Sequence, residues 1–407
     1  MRILSIETSC DETAVSVVEA EGEFPQAVYT VLGNGLLSQS DLHAPYGGVF
    51  PTLAKREHAK NLVPMMQQAL NEAELLTTGH TERTQAINET QCEILAREPE
   101  LYSQLQTWLN EYELPEIDCI AVTNGPGLAP ALWVGVNFAK ALAVLNDTPV
   151  VPVNHMEGHI LASLYDAVED DQLAAIEFPA LAVLLSGGHT ELVHMSSWGS
   201  YEIVGQTRDD AVGEAFDKVA RLLGLGYPGG PEIEKRAALA RKDNLPEYIE
   251  LPRPMLHSND LDLSFSGLKT AVRYAVAEKT LTENEVNALA RDFSDAVLDV
   301  VEHKTVAAIE QYGSQTVVVG GGVSASQQLR DRLTNHLHKV LPEVTVFFPP
   351  RELSTDNSIM IALAGHAHAE QGRQAASTGR IQAEGNRSLS NNWQQINCVV
   401  KSVVGNV

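Results

Sequence analysis

The sequence predicts an α/β protein in which one plan is used twice. Each half opens on a tight hairpin. In the first, residues 3–8 alternate as a strand, Ser9-Cys10-Asp11-Glu12 turns, and residues 13–18 return. In the second, residues 180–186, the turn Gly187-Gly188-His189 and residues 190–194 repeat it. Each half then has an apolar strand, a glycine-rich turn and a helix. These are 119–123, Asn124-Gly125-Pro126-Gly127 and a helix near 132–145, then 316–319, Gly320-Gly321-Gly322 and a helix near 325–338. The matched order implies a duplicated domain with a cleft between two lobes. The expected division is a first lobe at 1–150, a second at 151–371 and a divergent tail at 372–407.

Composition bounds the function. A chain of 407 residues supports two cores, and 44% hydrophobic with 20% charged residues is ordinary for a globular protein. No apolar stretch reaches membrane-spanning length, so no membrane partner is expected. Met1-Arg2-Ile3-Leu4-Ser5 runs directly into a strand and leaves no room for a signal peptide. Cys10, Cys92, Cys119 and Cys398 are scattered without a CxxC pair, which fits reduced thiols and a cytoplasmic location. The net charge of −25 argues against a broad electrostatic footprint for nucleic acid. A nucleic-acid substrate would need a basic partner or a local patch, for which Lys55, Arg56, Lys60, Lys269 and Arg273 are candidates.

Within the first lobe, about 73–116 forms an acidic insertion, nine acidic residues against Arg83 and Arg97. Leu101, Leu105, Trp108, Leu109 and Tyr112 form a helical stripe, with a weaker one at Ile87, Ile94 and Leu95. The stripe reads as a helical hairpin on the lobe's outer surface, or as a docking surface for another protein.

The strand Pro149–Val153 leads into Asn154-His155-Met156-Glu157-Gly158-His159. Histidines four apart on a helix point the same way and can face one ion; equally, they can bond nearby backbone. Glu157 lies on roughly the opposite side of such a helix from His155, which is not the zinc-protease spacing. Downstream, Asp217 precedes Tyr227-Pro228-Gly229-Gly230-Pro231, a carboxylate near a Gly-Gly turn that suits ribose hydroxyls beside a phosphate loop, or a helix end. Ser264-Phe265-Ser266-Gly267-Leu268-Lys269 reads as a loop with Ser266 as N-cap. Asp356, before the helix at 359–362, is a ligand candidate or another helix-start residue. After about Gly372 the chain turns polar, a tail that crosses back or frays.

Six stretches together carry a family resemblance: Ile6–Thr13, His155–His159, Ser186–Thr190, Gly213–Lys218, Ser264–Lys269 and Thr355–Asn357. From Ile3 to roughly Gln371 the chain resembles the bacterial TsaD family of tRNA N6-adenosine threonylcarbamoyltransferases, related to an archaeal and eukaryotic family. The resemblance implies the duplicated actin/sugar-kinase/Hsp70-like ATPase fold. It implies transfer of a threonylcarbamoyl group from threonylcarbamoyl-AMP to N6 of adenosine 37, just 3′ of the anticodon, in tRNAs reading codons that begin with A. Carried over by motif, the metal ligands are His155, His159 and Asp356, holding one divalent ion. Iron(II) is favoured by the resemblance, with zinc or magnesium as alternatives. Leu184, Leu185, Ser186, Gly187, Gly188, Asp217 and Gly230 would hold the adenylate. Ser326 stands where the family usually has Asn, which weakens that contact or replaces it by water. Asp11, in the first hairpin turn, is the candidate base for the incoming amine, or binds metal-held water. A TsaB-like paralogue and a TsaE-like ATPase are the implied protein partners. Rival readings are a metallopeptidase, which needs a glutamate placed to activate water, and a non-enzymatic ATP-gated scaffold, which needs no histidine pair. An iron oxygenase could use the same ligands, but no co-substrate arginine is evident.

Overall fold

The computed structural model describes residues 1–78, 93–166, 171–277, 279–373 and 381–391. Ile87, Arg83, Cys92 and Cys398 lie outside them. Two compact units are present: Met1–Gln39, Val49–Ala174 and Asp356–Val407 in one, Ser40–Gly48 and Ala175–Thr355 in the other. The division therefore falls later than the expected 150, and the chain re-enters the first unit before 371. The reason lies in pairing. The strand at 150–154 joins the first sheet, and the helix Ser358–Glu370 packs on that same sheet.

In the first unit, β1 (Arg2–Glu7), β2 (Glu12–Glu21), β3 (Val28–Ser38), β4 (Cys119–Gly125) and β5 (Val150–Asn154) lie in the order β5-β4-β1-β2-β3. Two short strands, Gln172–Leu173 and Tyr165–Asp166, extend that edge. The hairpin pairs are antiparallel, with Ile3 opposite Val18, while β1, β4 and β5 run parallel, with Ile3 opposite Cys119. In the second unit, β6 (Ala180–Leu185), β7 (Thr190–Ser197), β8 (Ser200–Gln206), β9 (Thr316–Gly320) and β10 (Thr345–Phe347) lie in the order β8-β7-β6-β9-β10. Third, second, first, fourth, fifth is the order in both, so the duplicated plan is present in the strands themselves.

Strand alternation assigns the faces of the first sheet. Leu4 and Ile6 of β1 and Val15 and Val17 of β2 join one core with the helices Pro51–Glu72 and Ala129–Asn146. Ile3, Glu7 and Ser16 face the other way: Ile3 meets Gly365, and the Ser16 and Ser358 hydroxyls lie 2.5 Å apart. Gly33 and Gly35 in β3 let the 51–72 helix approach, since a Cβ there would meet Ala69 O at 2.0 Å and Met65 O at 2.3 Å. Contrary to the expectation that no apolar stretch reaches membrane-spanning length, the helix Ala129–Asn146 is long and apolar enough by composition; its apolar residues serve the core instead, and most of it is buried within this unit.

The acidic insertion is more integral than an outer hairpin. Its helix Pro99–Leu109 packs on the 51–72 helix, and Leu95, Leu101, Leu105, Trp108 and Leu114 complete the core on that face of the sheet. The tail crosses back. Glu384 N donates to Asn124 O (2.7 Å), and Gly127 N donates to Gly385 O (3.0 Å). A Cβ on Gly125 (φ 150°) would meet Glu384 O at 2.0 Å. The first glycine loop thus spends an N–H on the chain's own tail.

Candidate metal centre and nucleotide-loop cluster

β5 delivers the histidine helix, His155–Ala162, through Asn154, whose Oδ1 accepts a hydrogen bond from Met156 N (2.9 Å) and caps it. One turn separates His155 from His159, and their rings lie 4.7 Å apart. Asp356 enters from the opposite end of the chain but within the same unit. Asn357, not Asp356, caps the helix that follows, accepting from Met360 N (3.0 Å). That leaves the Asp356 carboxylate for the histidines: its Oδ1 lies 3.3 Å from His155 Nε2 and 3.2 Å from His159 Nε2.

One ligand atom from each of the three residues lies within 4.8 Å of the others. Ligands about 2.0–2.2 Å from one ion lie about 3–3.5 Å from one another, so the two His–Asp spacings match a shared ion. His159 Nε2 is buried and, beyond its 3.2 Å approach to Asp356 Oδ1, makes no well-directed hydrogen bond, which suits a metal-ligating nitrogen. Nitrogen–nitrogen–oxygen donors suit a divalent transition ion, and the residues fit such a group.

The surroundings orient the ligands. His155 Nδ1 lies 3.1 Å from Glu7 Oε2 and 3.2 Å from Ser9 Oγ. Glu7 is itself fixed, accepting from Thr123 Oγ1 and Ser9 N, each at 2.5 Å. Burial disfavours charge on both rings and lowers the pKa of His159. At His155 the carboxylates of Asp356 and Glu7 outweigh burial and raise it well above the ordinary value. Burial would raise Asp356, but the two imidazoles overcome it and hold its carboxyl well below the carboxylate range. Cys10 and Glu12 are raised, by burial first and then by neighbouring Asp11 and Asp356. Asp11, buried in the hairpin turn and hydrogen-bonded to Cys10 and Glu12, therefore stands at the acidic edge of this cluster. Glu157 points away, its Oε2 2.8 Å from His368 Nε2 in the interior. It is not placed as the water-activating base of a peptidase.

In the second unit, the remaining site candidates converge on the helix Val212–Leu222. β6 carries Leu184 and Leu185 to the turn Ser186-Gly187-Gly188, where His189 N donates to Ser186 Oγ (3.0 Å). The Gly213 backbone sits on that turn, since a Cβ there would be 2.8 Å from Gly187 Cα. One turn on, Asp217 Oδ1 accepts from Gly229 N (2.7 Å) at the start of the helix Gly229–Lys242. Gly187, Gly188 and Gly230 have open space where a Cβ would stand. The second glycine loop abuts the same turn: Gly321 has φ 90°, and a Cβ there would lie 2.5 Å from Leu185 O. Ser326 caps the helix Gln327–Val340 by accepting from Leu329 N (3.2 Å) and donates to Glu234 Oε1 (3.1 Å), one turn beyond Gly230. The helix Ser266–Val276 departs from expectation. Ser266 is its first residue rather than its cap, and the Asp209 carboxylate accepts from both Phe265 N (2.8 Å) and Ser266 N (3.1 Å).

Glu7, Ser9, Asp209 and Glu234 escaped the sequence reading as functional neighbours. Glu7 left one signal, an acidic residue ending the strand Arg2–Glu7 directly after the apolar Ile6.

A family model, TsaD, described as tRNA N6-adenosine threonylcarbamoyltransferase, matches residues 30–78 and 102–363. The gap falls within the acidic insertion. A protein of that name from Aromatoleum aromaticum is 41% identical over 381 residues, 94% of this chain and 95% of its own length. Another from Nitrosomonas europaea is 39% identical over 97% of this chain and 98% of its own, and one from Gemmatimonas aurantiaca is 42% identical over 92% and 94%. Among solved structures, full-length HypF in its phosphate- and nucleotide-bound form aligns over 92% of this chain and 56% of its own, with 12% identity and a TM-score of 0.48. The strand order above stands independently of that likeness.

Proposed function

Because the chain belongs to the TsaD family of tRNA N6-adenosine threonylcarbamoyltransferases, we infer that its His–His–Asp cluster and its nucleotide-loop cluster serve one group-transfer reaction. The chain is a transferase that forms N6-threonylcarbamoyladenosine in tRNA, and we read its twice-used strand order as the actin/sugar-kinase type. The finer assignments that follow are our proposal. The donor is threonylcarbamoyl-AMP and the acceptor adenosine 37 of tRNAs reading codons that begin with A.

The observation that carries the metal assignment is the convergence of His155, His159 and Asp356 on 3.2–3.3 Å contacts from positions almost 200 residues apart. These three would hold one divalent ion, iron(II) first among the options, then zinc or magnesium. Such an ion, when bound, would supply Lewis-acid stabilisation of the negative charge that develops as AMP leaves. Glu7 and Ser9 fix the His155 ring so that its Nε2 faces Asp356. Leu184–Gly188 and Gly230 form the bed of the adenylate, its glycines leaving room for close backbone approach. Asp217 is held at the same bed by Gly229 N, and its carboxylate is the group we assign to a ribose hydroxyl.

In the transfer, N6 of the adenosine forms a bond to the carbamoyl carbon. The bond from that carbon to the phosphate oxygen breaks, and AMP departs with the electron pair. The N6 proton goes to a carboxylate, for which Asp11 is the residue to test. A TsaB-like paralogue and a TsaE-like ATPase complete the working assembly, in keeping with the cytoplasmic setting of tRNA modification.

The decisive experiment mixes purified chain, synthetic threonylcarbamoyl-AMP and unmodified tRNA, with and without the TsaB-like partner, and reads modified nucleoside by mass spectrometry. Modification that disappears in His155→Ala, His159→Ala and Asp356→Ala supports the assignment. Full activity in those variants would sink the metal role, and full multi-turnover activity of the isolated chain would sink the partner dependence.

A further inference from the structure

The charge balance leaves few places where this chain can meet RNA, and the structure narrows them. The candidate cations of the 51–72 helix are occupied. Lys55 pairs with Glu98 (3.4 Å), Arg56 with Glu57 (3.2 Å) and Lys60 with Glu57 (3.5 Å). In the second unit, Arg208, Lys218, Arg253 and Arg332 are likewise held by carboxylates. Lys269 and Arg273 differ: among the described residues neither has a carboxylate within ion-pair reach.

Both sit on the helix Ser266–Val276, whose Leu268, Val272 and Ala275 are buried in the second unit's core. The opposite face carries Gly267, Thr270, Arg273 and Tyr274, all exposed, with Lys269 at its flank. Lys269 and Arg273 are one turn apart, about 6 Å along the axis. Like charges at that spacing slightly destabilise a helix, so local stability does not account for them. Tyr274 is 73% exposed, more than any other large hydrophobic side chain described here. The helix start offers no anion site of its own, because Asp209 already takes the N–H groups of Phe265 and Ser266. Any phosphate contact on this helix must come from side chains.

We propose that the outward face of the Ser266–Val276 helix docks a single-stranded loop of the RNA substrate, with phosphates on Lys269 and Arg273 and an unstacked base on Tyr274. The proposal rests on tRNA being the acceptor and names the strand-contacting surface for it. An aromatic platform beside unpaired cations is the recognition chemistry of unpaired RNA. In a chain of net charge −25 it acts only at short range, inside a Debye length of about 8 Å at physiological salt.

The test measures binding of the full chain to an unmodified anticodon stem-loop by fluorescence anisotropy across a salt series. Lys269→Ala/Arg273→Ala should weaken binding about tenfold or more and flatten the slope of log K against log salt by roughly 1.4–1.8, the share of two phosphate contacts. Tyr274→Ala should lose about 5- to 100-fold, with Tyr274→Phe within about twofold of wild type. Lys339→Ala, an exposed cation on another helix, should change nothing. Wild-type slope and affinity in the double variant, or Tyr274→Ala equal to wild type, would overturn the proposal while leaving the transferase reading intact. So would loss of association with a protein partner at unchanged RNA affinity. A wild-type chain that neither binds nor modifies tRNA even with the TsaB-like partner present would overturn the functional reading itself, and this surface with it.

Discussion

Glu7 stands behind His155, its Oε2 3.1 Å from Nδ1, on the side of the ring away from Asp356. A carboxylate behind a ligating histidine fixes the ring and strengthens the other nitrogen as a donor. Replacing Glu7 with Gln should therefore lower metal affinity about 10- to 100-fold while the fold survives. Metal titration followed by calorimetry reads this directly; unchanged affinity would reduce Glu7 to a structural role.

Removing the ion should also register as stability. With the metal at 100 times its dissociation constant, the folded state gains about 2.7 kcal/mol, which a chelator would remove. His159→Ala should abolish that chelator-sensitive shift in melting temperature, because the ion then has no second imidazole. An identical shift in the variant would place the ion elsewhere.

Ser326 offers a gain-of-affinity test. Asn caps helices about as well as Ser, so Ser326→Asn should keep the 327–340 helix intact while restoring an amide next to Glu234, one turn beyond Gly230. One added hydrogen bond is worth about 0.5–1.5 kcal/mol, so a non-hydrolysable adenylate analogue should bind roughly 2- to 10-fold tighter by calorimetry. No change would mean that Ser326 and Glu234 do not face the nucleotide.

The acidic insertion makes a stability prediction. Trp108 is buried against the 51–72 helix side of the core, stacked near Tyr112 at 5.6 Å. Trp108→Ala should cost about 3–5 kcal/mol, read by urea denaturation. A loss below about 1 kcal/mol would return the segment to the status of a detachable surface hairpin.

His366 gives stability a pH signature. It is buried, with Nδ1 3.0 Å from the Tyr29 hydroxyl, and burial, aided by the N-terminal ammonium, lowers its pKa to about 4. The unfolded chain, near 6.5, takes up a proton first. Its contribution is thus intact above about pH 6.5 and falls as pH drops towards 4, by up to about 3 kcal/mol. His366→Gln should show a shallower acid loss than wild type across that window. Parallel curves would show that His366 does not set the slope.

The hairpins, the paired strand–glycine loop–helix units and the histidine pair were legible because each leaves a local mark, a period or a fixed spacing, whereas only the family resemblance set Asp356 apart as a ligand. The third strands of the two sheets were not. β3 carries Gly33 and Gly35 for the sake of the helix packed on it, and those glycines erase the strand pattern. Asp209 could not be found as the cap of the 266–276 helix, because capping from more than fifty residues away has no sequence period. The boundary at 150 failed for a related cause. A break in pattern after β5 resembles a domain edge, whereas strand pairing and the 358–370 helix keep the chain in the first unit.

That re-entry sets a timetable for synthesis. His155 and His159 leave the ribosome almost 200 residues before Asp356 and the helix that covers the inner face of the first sheet. At about 5–20 residues per second, the interval is roughly 10–40 s. For that time the nascent first unit holds an unfinished face and two histidines without their carboxylate, while the segment Ala175–Thr355 of the second unit is being made. The proposed ion site is therefore among the last features of the chain to be completed, and metal uptake there would report that synthesis has passed residue 356.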